Sequence, residues 1–504
     1  MAKFNQKSKN SGADIFNQEN APAYNMDNNT ELYTRVLSTL MNEKKFYQSA
    51  DGSDKELIAL IRKVAVEDPE FVAGLAIIAR NKFNLRSVPQ VLMVELANIH
   101  KGDDIVSKAI SAYMHRPDEM TEMLAYYGKR FAIKGAAKKM AKLPNQIKKG
   151  LASAFERFDE YQMAKYNRPG EVKLRDVLFL THPVPVTKEQ EKLWYDKLIN
   201  GTLKTPDTWE VALSTAKERG LTKTEAWTEV LPKMGYMALL KNLRNLYQEG
   251  VDPDKFIPTL IDPEHNSKSR QFPFRFMSAY RELSIAGASS KIMDAVADAM
   301  ELAVGNVPEL PGITFVVSDN SASMGSVLSD KGSVSYKDIA NLFAAIAHKK
   351  LGTNIVGVFG ESYKTVGLSS RNSILANKEV LENTDVGHST NTYETIDWLT
   401  KTKTKVDRII IFSDMQAWDS RCWDSRINTT QESYDRYCAT MGIKPHVYSI
   451  DLAGYGTSDF DPKKPQIHLL SGWSEKIFDY ILAMETEPDA AMSDIYLAIA
   501  DARV

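Results

Sequence analysis

The chain has 504 residues, 43% hydrophobic and 25% charged, enough for an ample core spread over roughly two to four domains. Its 63 basic and 65 acidic residues leave a net charge of −2, which excludes a polyanion partner recognised by bulk charge; such a partner must meet a local patch. Two cysteines, Cys422 and Cys438, are too few to staple the chain and are not spaced as a zinc site, so a reducing compartment is expected.

The opening residues, MAKFNQKSKNSGADIF, carry no apolar core of a secretory signal. No run of about 18 apolar residues occurs, so no membrane span is expected and the cytoplasm follows by elimination. Residues 1–30, rich in Asn, Gln, Ser and Lys, read as a mobile N-terminal arm with one aromatic as a candidate anchor.

From residue 31 to 304 the pattern is helical. KELIALIRKVAVEDPEFVAGLAIIARNKF repeats apolar residues at intervals of three and four. Breaks fall at Pro69, Pro89, Gly102, Pro117, Pro144, Pro169, Pro206, Pro232 and Pro253. Short helices in series without hairpin signals predict a HEAT-like α-solenoid; an irregular helical domain is the plain alternative.

Within this region the segment from Lys129 to Arg175 holds thirteen basic residues against four acidic ones. Lys129, Arg130, Lys134, Lys138, Lys142, Lys165, Arg168, Lys173 and Arg175 are candidate phosphate contacts, and Lys134, Lys138 and Lys142 recur at helical spacing. A solvated lysine-rich face explains the charge equally well. Tyr126, Tyr127, Tyr161 and Tyr166 are interleaved with these cations as stacking platforms or as core.

VGNVPELPG, residues 304–312, marks a boundary, and residues 313–504 change texture. Strands are predicted over 313–318, 354–360, 408–413 and 446–451, and helices over 336–351 and 473–484. Alternating strands and helices predict a doubly wound parallel sheet, which gathers ligands beyond the carboxyl ends of its strands. Asp319, Ser321 and Ser323 follow the first strand, Asp414 follows a later one, and Thr390 (or Ser389 beside it) sits on a loop between. Two carboxylates and three hydroxyls are hard oxygen donors suited to a divalent cation, Mg²⁺ above all. The bland alternative is a set of turn and cap residues. No Walker phosphate loop and no nucleophile with a partner His stands out, so no enzyme is expected.

Asp-x-Ser-x-Ser after a first strand, a distant Thr and an Asp after a later strand resembles the metal-ion-dependent adhesion site of von Willebrand factor A domains. YQMAKYNRPGEVKLRDVLFLTHPVP (161–185) resembles the RNA-binding stretch of the Ro ribonucleoprotein family, whose helical part is the TROVE domain. NLRSVPQVLMVELA (84–97), MGYMALLKNLRNL (234–246) and PFRFMSAYREL (273–283) are similar to further segments of that family, so the resemblance spans about residues 30–504. It implies a monomeric ring of HEAT-like helices closed by the A domain. It implies that Y-like small RNAs bind an outer basic surface and that single-stranded 3′ ends of misfolded RNAs thread a central hole. By position, Lys165 and His182 would contact Y RNA, with Arg168 and Arg175 as neighbours. A 3′ exonuclease is an implied partner in RNA quality control. The competing expectation is a protein-interaction scaffold that acts through the metal site; a metal-dependent nuclease is a lesser one.

Overall fold

The structure is a computed structural model that describes residues 13–38, 50–132, 142–167, 169–269, 271, 273–305, 307–330, 332–418, 429–473, 476–486 and 490–503. Lys134, Lys138 and Arg168 lie outside the described residues, as does Cys422. The chain divides into two compact units, one made of Met1–Ser53 with Ala216–Thr486 and the other of Asp54–Thr215 with Glu487–Val504. No helix among the described residues is long and apolar enough to cross a membrane.

The second of these units is helical. Its prolines start helices rather than merely breaking them. Pro69, Pro89 and Pro117 each occupy a first turn, where a missing N–H leaves no bond unmade. Asp68 caps the helix Pro69–Asn81 by accepting from the Phe71 N–H at 3.1 Å. That helix packs on Val88–Ile99 and on Ile105–Tyr113, Val88–Ile99 packs on Pro117–Arg130, and Ile105–Tyr113 packs on Asn145–Phe155. Each helix thus meets the one two places further along, which is the stacking of a HEAT-like solenoid. Gly150 permits the last contact, since a Cβ there would lie 2.7 Å from the Ile110 Cβ.

The helix Ala490–Arg503 also belongs to this unit and packs on Pro69–Asn81 and Ile105–Tyr113. A Cβ at Gly74 would come within 2.0 Å of the Ile495 carbonyl oxygen, so only glycine allows that approach. Tyr496 donates to Asp68 at 2.6 Å, and Lys82 pairs with Asp494 at 2.6 Å. The expected A domain over 313–504 is therefore too long, because its last helix completes the solenoid.

The other unit opens with two short strands, β1 (Ile15–Phe16) and β2 (Pro22–Asn25), paired antiparallel. Its main sheet contains β3 (Thr314–Asp319), β4 (Asn354–Phe359), β5 (Tyr363–Thr365), β6 (Arg408–Ser413) and β7 (His446–Asp451). After the short β8 (Thr457–Ser458), β9 (Ile467–Ser471) completes it, in the order β5-β4-β3-β6-β7-β9. All its pairings are parallel except β4 with β5. Every residue of β3 and β6 is buried, and the unbroken apolar runs FVV and IIIF reflect helices on both faces of the sheet. Phe315, Val317, Ile409, Ile411 and Val447 pack on Ile396 and Tyr437 on one side.

Two expectations are corrected here. The N-terminal arm over 1–30 is anchored along its described part, for β2 pairs with β8, placing Tyr24 opposite Ser458, and Ala23, Tyr24 and Met26 are buried. Nor does the 304–312 segment bound a compact unit. The helices Pro273–Ile285 and Ser290–Ala303 pack on helices of the sheet region. Arg281 pairs with buried Asp338 at 2.6 Å, and Glu301 accepts from Lys349 at 3.0 Å and from the Ile374 N–H at 2.7 Å.

Candidate metal centre and nucleic-acid interface

The sheet runs outward from β3 through β4 to β5, then crosses back to β6 and continues to β7 and β9. Strand order reverses between β3 and β6, the place where a doubly wound sheet leaves a crevice beyond its carboxyl ends. Asp319 is the last residue of β3, and Asp414 directly follows β6. All five expected ligands, Asp319, Ser321, Ser323, Thr390 and Asp414, are buried there. Asp319 accepts from the Ser321 N–H at 2.8 Å and from the Ser413 hydroxyl at 2.6 Å. The Ser321 and Ser323 hydroxyls lie 3.3 Å apart, and Ser323 hydrogen-bonds Asp414. The loop with Thr390 is stitched on both sides. The Ala322 N–H donates to the His388 carbonyl at 3.0 Å, and the Trp418 N–H donates to the Thr390 carbonyl at 2.7 Å. Thr390 is buried while Ser389 is only half-buried, which makes Thr390 the inward hydroxyl.

The electrostatics fit a cation. Burial pushes the Asp319 carboxyl up to about 6, against the hydrogen bonds from Ser321 and Ser413. Burial and then the charge of Asp319 hold Asp414 well above the usual carboxylate range. Asp459, which sequence spacing did not single out, is pushed up to about 7 by burial; it accepts from the Thr392 hydroxyl at 3.2 Å and the Ala417 N–H at 3.4 Å. A divalent ion between Asp319 and Asp414 would reverse the penalty on both. The donors are hard oxygens, which suits Mg²⁺, and no group of three or more His, Cys, Asp or Glu gathers into a metal site among the described residues. Ser413 was readable as the residue before Asp414; Asp459 reaches the crevice through tertiary folding alone.

In the helical unit the basic residues divide. Lys129 and Lys142 are exposed. Arg130 instead donates to Glu95 at 2.8 Å; Glu95 is fully buried and also holds Arg62 at 2.9 Å and the Tyr126 hydroxyl at 3.1 Å. The charge of Arg130 is thus answered within the fold, and of the candidates it is the least suited to a phosphate. Tyr127 is core and donates to the Lys142 carbonyl at 2.8 Å.

Lys165 lies on the helix Glu160–Tyr166, which a capping box of Asp159 and Gln162 starts. Its ammonium stands 5.6 Å from the Tyr161 ring centre and 5.7 Å from that of Tyr166, which also receives the Arg116 guanidinium at 4.2 Å. Exposed Lys173 and Arg175 sit at the start of the helix Leu174–Thr181, where a cation opposes the helix dipole; Asp176 compensates by accepting from the Lys173 N–H at 2.8 Å. At the other end, about 12 Å away by helical rise, His182 adopts the left-handed conformation with φ 49° and ψ 57°. That position favours glycine, and an exposed histidine there is strained. The helices carrying Lys165 and His182 both pack on Pro117–Arg130, whose last turn carries Lys129.

A family model described as the TROVE domain matches residues 24–202 and 200–303, more than half of the chain. Telomerase protein component 1 of Mus musculus is 24% identical over 352 residues, and that of Rattus norvegicus 23% over 334 residues. These matches take in 54% and 50% of this chain but only 13% and 12% of the relatives' own length. Among solved structures, the Ro (Rsr) protein of Deinococcus radiodurans superposes with a TM-score of 0.60 at 17% identity, covering 95% of this chain and 99% of that one. The likeness shows a shared fold along nearly the whole chain, a helical part followed by a doubly wound sheet. The chain belongs to the TROVE-domain family, a family of RNA-binding proteins.

Proposed function

We propose that this protein is a non-catalytic RNA-binding ring that holds Y-like small RNAs on a basic outer surface and receives single-stranded 3′ ends of misfolded RNAs through its centre. The observation that carries the reading is the surface around Lys165 and His182. Lys165 stands between two half-exposed tyrosine rings, and a strained helix end thrusts His182 into solvent. Strain of this kind persists where something other than stability retains the residue. A-form duplex hides its base edges, so such a surface reads phosphates and shape, while a hole sorts RNAs by whether an end is free and unstructured. The protein acts in the cytoplasm as a ribonucleoprotein and passes bound ends to a 3′ exonuclease.

Filter binding of structured RNA with a single-stranded 3′ tail tests this. Lys165→Glu with His182→Ser is expected to weaken binding at least tenfold and to flatten its salt dependence, since each lost phosphate contact lowers the slope by about one. Unchanged affinity would overturn the reading.

A second reading, compatible with the first, rests on the two buried carboxylates at the mouth of the sheet. Asp319, Ser321, Ser323, Thr390 and Asp414 would hold Mg²⁺, which when bound offers an open coordination position to a partner's carboxylate. The hydroxyl-rich donor set suits docking better than hydrolysis. Asp319→Ala should abolish capture of a protein partner while small RNA still copurifies; loss of the RNA with the partner would refute separate roles.

A further inference from the structure

The helices Tyr236–Gln248 and Pro273–Ile285 pack side by side in the unit that carries the sheet, and between them lies an open cavity of about 300 Å³. That is the lower end of the size range of small-molecule sites. Leu240 and Ala279 contribute apolar lining, and three cations, Lys241, Arg244 and Arg275, share the wall with one carboxylate, Glu282. Glu282 is already engaged, for Arg244 donates to it at 2.6 Å. Arg275 is different. It touches the face of its neighbour Phe274 at 5.0 Å and makes no ion pair among the described residues. Although the residue is exposed overall, protein crowds its guanidinium enough that burial alone lowers its pKa. Its guanidinium thus stands at the wall of a concave cavity with no carboxylate paired to it among the described residues.

We propose that this cavity binds the phosphate of a nucleotide, with Arg275 on the phosphate and Leu240 and Ala279 against the base or sugar. Guanidinium presents a planar fork that matches two phosphate oxygens, and the cavity accommodates about one nucleotide. The site goes beyond the function proposed above and does not depend on it, because its residues lie in the other compact unit from Lys165 and His182.

The phosphate comes from a free nucleotide or from one residue of a single strand, and calorimetric titration of the full chain with inorganic phosphate, AMP and a five-nucleotide single-stranded RNA separates the two. AMP bound as tightly as the oligomer assigns the site to free nucleotide; a clear preference for the oligomer assigns it to a strand. Arg275→Gln should weaken the bound phosphate at least tenfold. Ala279→Phe keeps every charge but fills the cavity, and it should weaken binding of AMP or oligomer equally. Binding that survives Ala279→Phe but falls in Arg275→Gln would mean diffuse surface charge and would overturn the proposal, as would indifference to both changes. Unaltered thermal unfolding checks that each variant is folded. Lys165→Glu should leave the AMP titration as it is, whatever it does to structured RNA.

Discussion

The candidate metal cup and the proposed RNA-facing surface are built on opposite plans. The cup is interior: its five candidate ligands are buried, its carboxylates are held by neighbouring hydroxyls, and its loops are stitched by backbone hydrogen bonds. The surface is exterior: Lys129, Lys173, Arg175 and His182 are exposed, and one of them sits in a strained conformation. An ion needs a site organised before it arrives, because the donors must replace its water at fixed distances. Phosphates on a duplex need charge at rough spacing, and flexible lysines supply that. The two plans predict opposite consequences of mutation, a loss of ion-dependent stability at the cup and a loss of binding without a loss of stability at the surface.

The largest effect expected is at Asp338, which buttresses the sheet unit near the cup's first loop. Burial would raise its pKa, but the hydrogen bond from Arg281 and the charge and hydrogen bond of Lys378 outweigh it and bring the carboxyl down to about 2. Asp338→Asn leaves buried Lys378 with Glu382 as its carboxylate partner and should cost about 3 kcal/mol in chemical denaturation. In the wild type, a folded pKa below the usual carboxylate value means a contribution that is complete above about pH 4 and lost as pH falls toward 2, roughly 2 kcal/mol in all. A denaturation series over that window that shows no such loss would break the link.

Next comes the ion. Mg²⁺ at about 100 times its dissociation constant should stabilise the fold by roughly 2.7 kcal/mol, read as a rise in the thermal midpoint. Asp414→Ala should abolish the rise, and a rise that persists would place the ion elsewhere. Smaller is the contrast between Arg130→Gln and Lys165→Gln. The first should cost about 1 kcal/mol of stability and little RNA affinity, since Glu95 keeps Arg62; the second should do the reverse. If both weaken RNA equally, Arg130 is not reserved for the fold. Smallest is His182→Gly, which relieves a left-handed histidine and should raise stability by up to about 1 kcal/mol while weakening RNA binding.

The burial of the candidate cup residues at the strand ends was legible in sequence because their placement follows from local strand patterns. Asp319, Ser321 and Ser323 lie within five residues at the end of an unmistakable strand, and Asp414 directly follows another. Element positions in the helical part were legible for the same reason, through prolines and caps that act within one turn. What stayed hidden was long-range pairing. Nothing near Tyr24 announces that Ser458 lies opposite it, nothing near Arg130 announces buried Glu95, and no local signal sends Ala490–Arg503 to the far end of the chain's own sequence. A count of basic residues therefore overstated the free charge, and a change of texture at 304–312 overstated the independence of the two halves.

The helix Ala490–Arg503 has a consequence for how this protein is made. Residues 69–113 leave the ribosome some four hundred positions before Ile495 does, yet Ile495 is what covers the helix face notched by Gly74. Until Ala490–Arg503 is made that face stays uncovered, and the solenoid segment waits for that helix to close it. Translation that stops short of that helix would leave the solenoid with an open apolar seam, a natural target for chaperones and proteases.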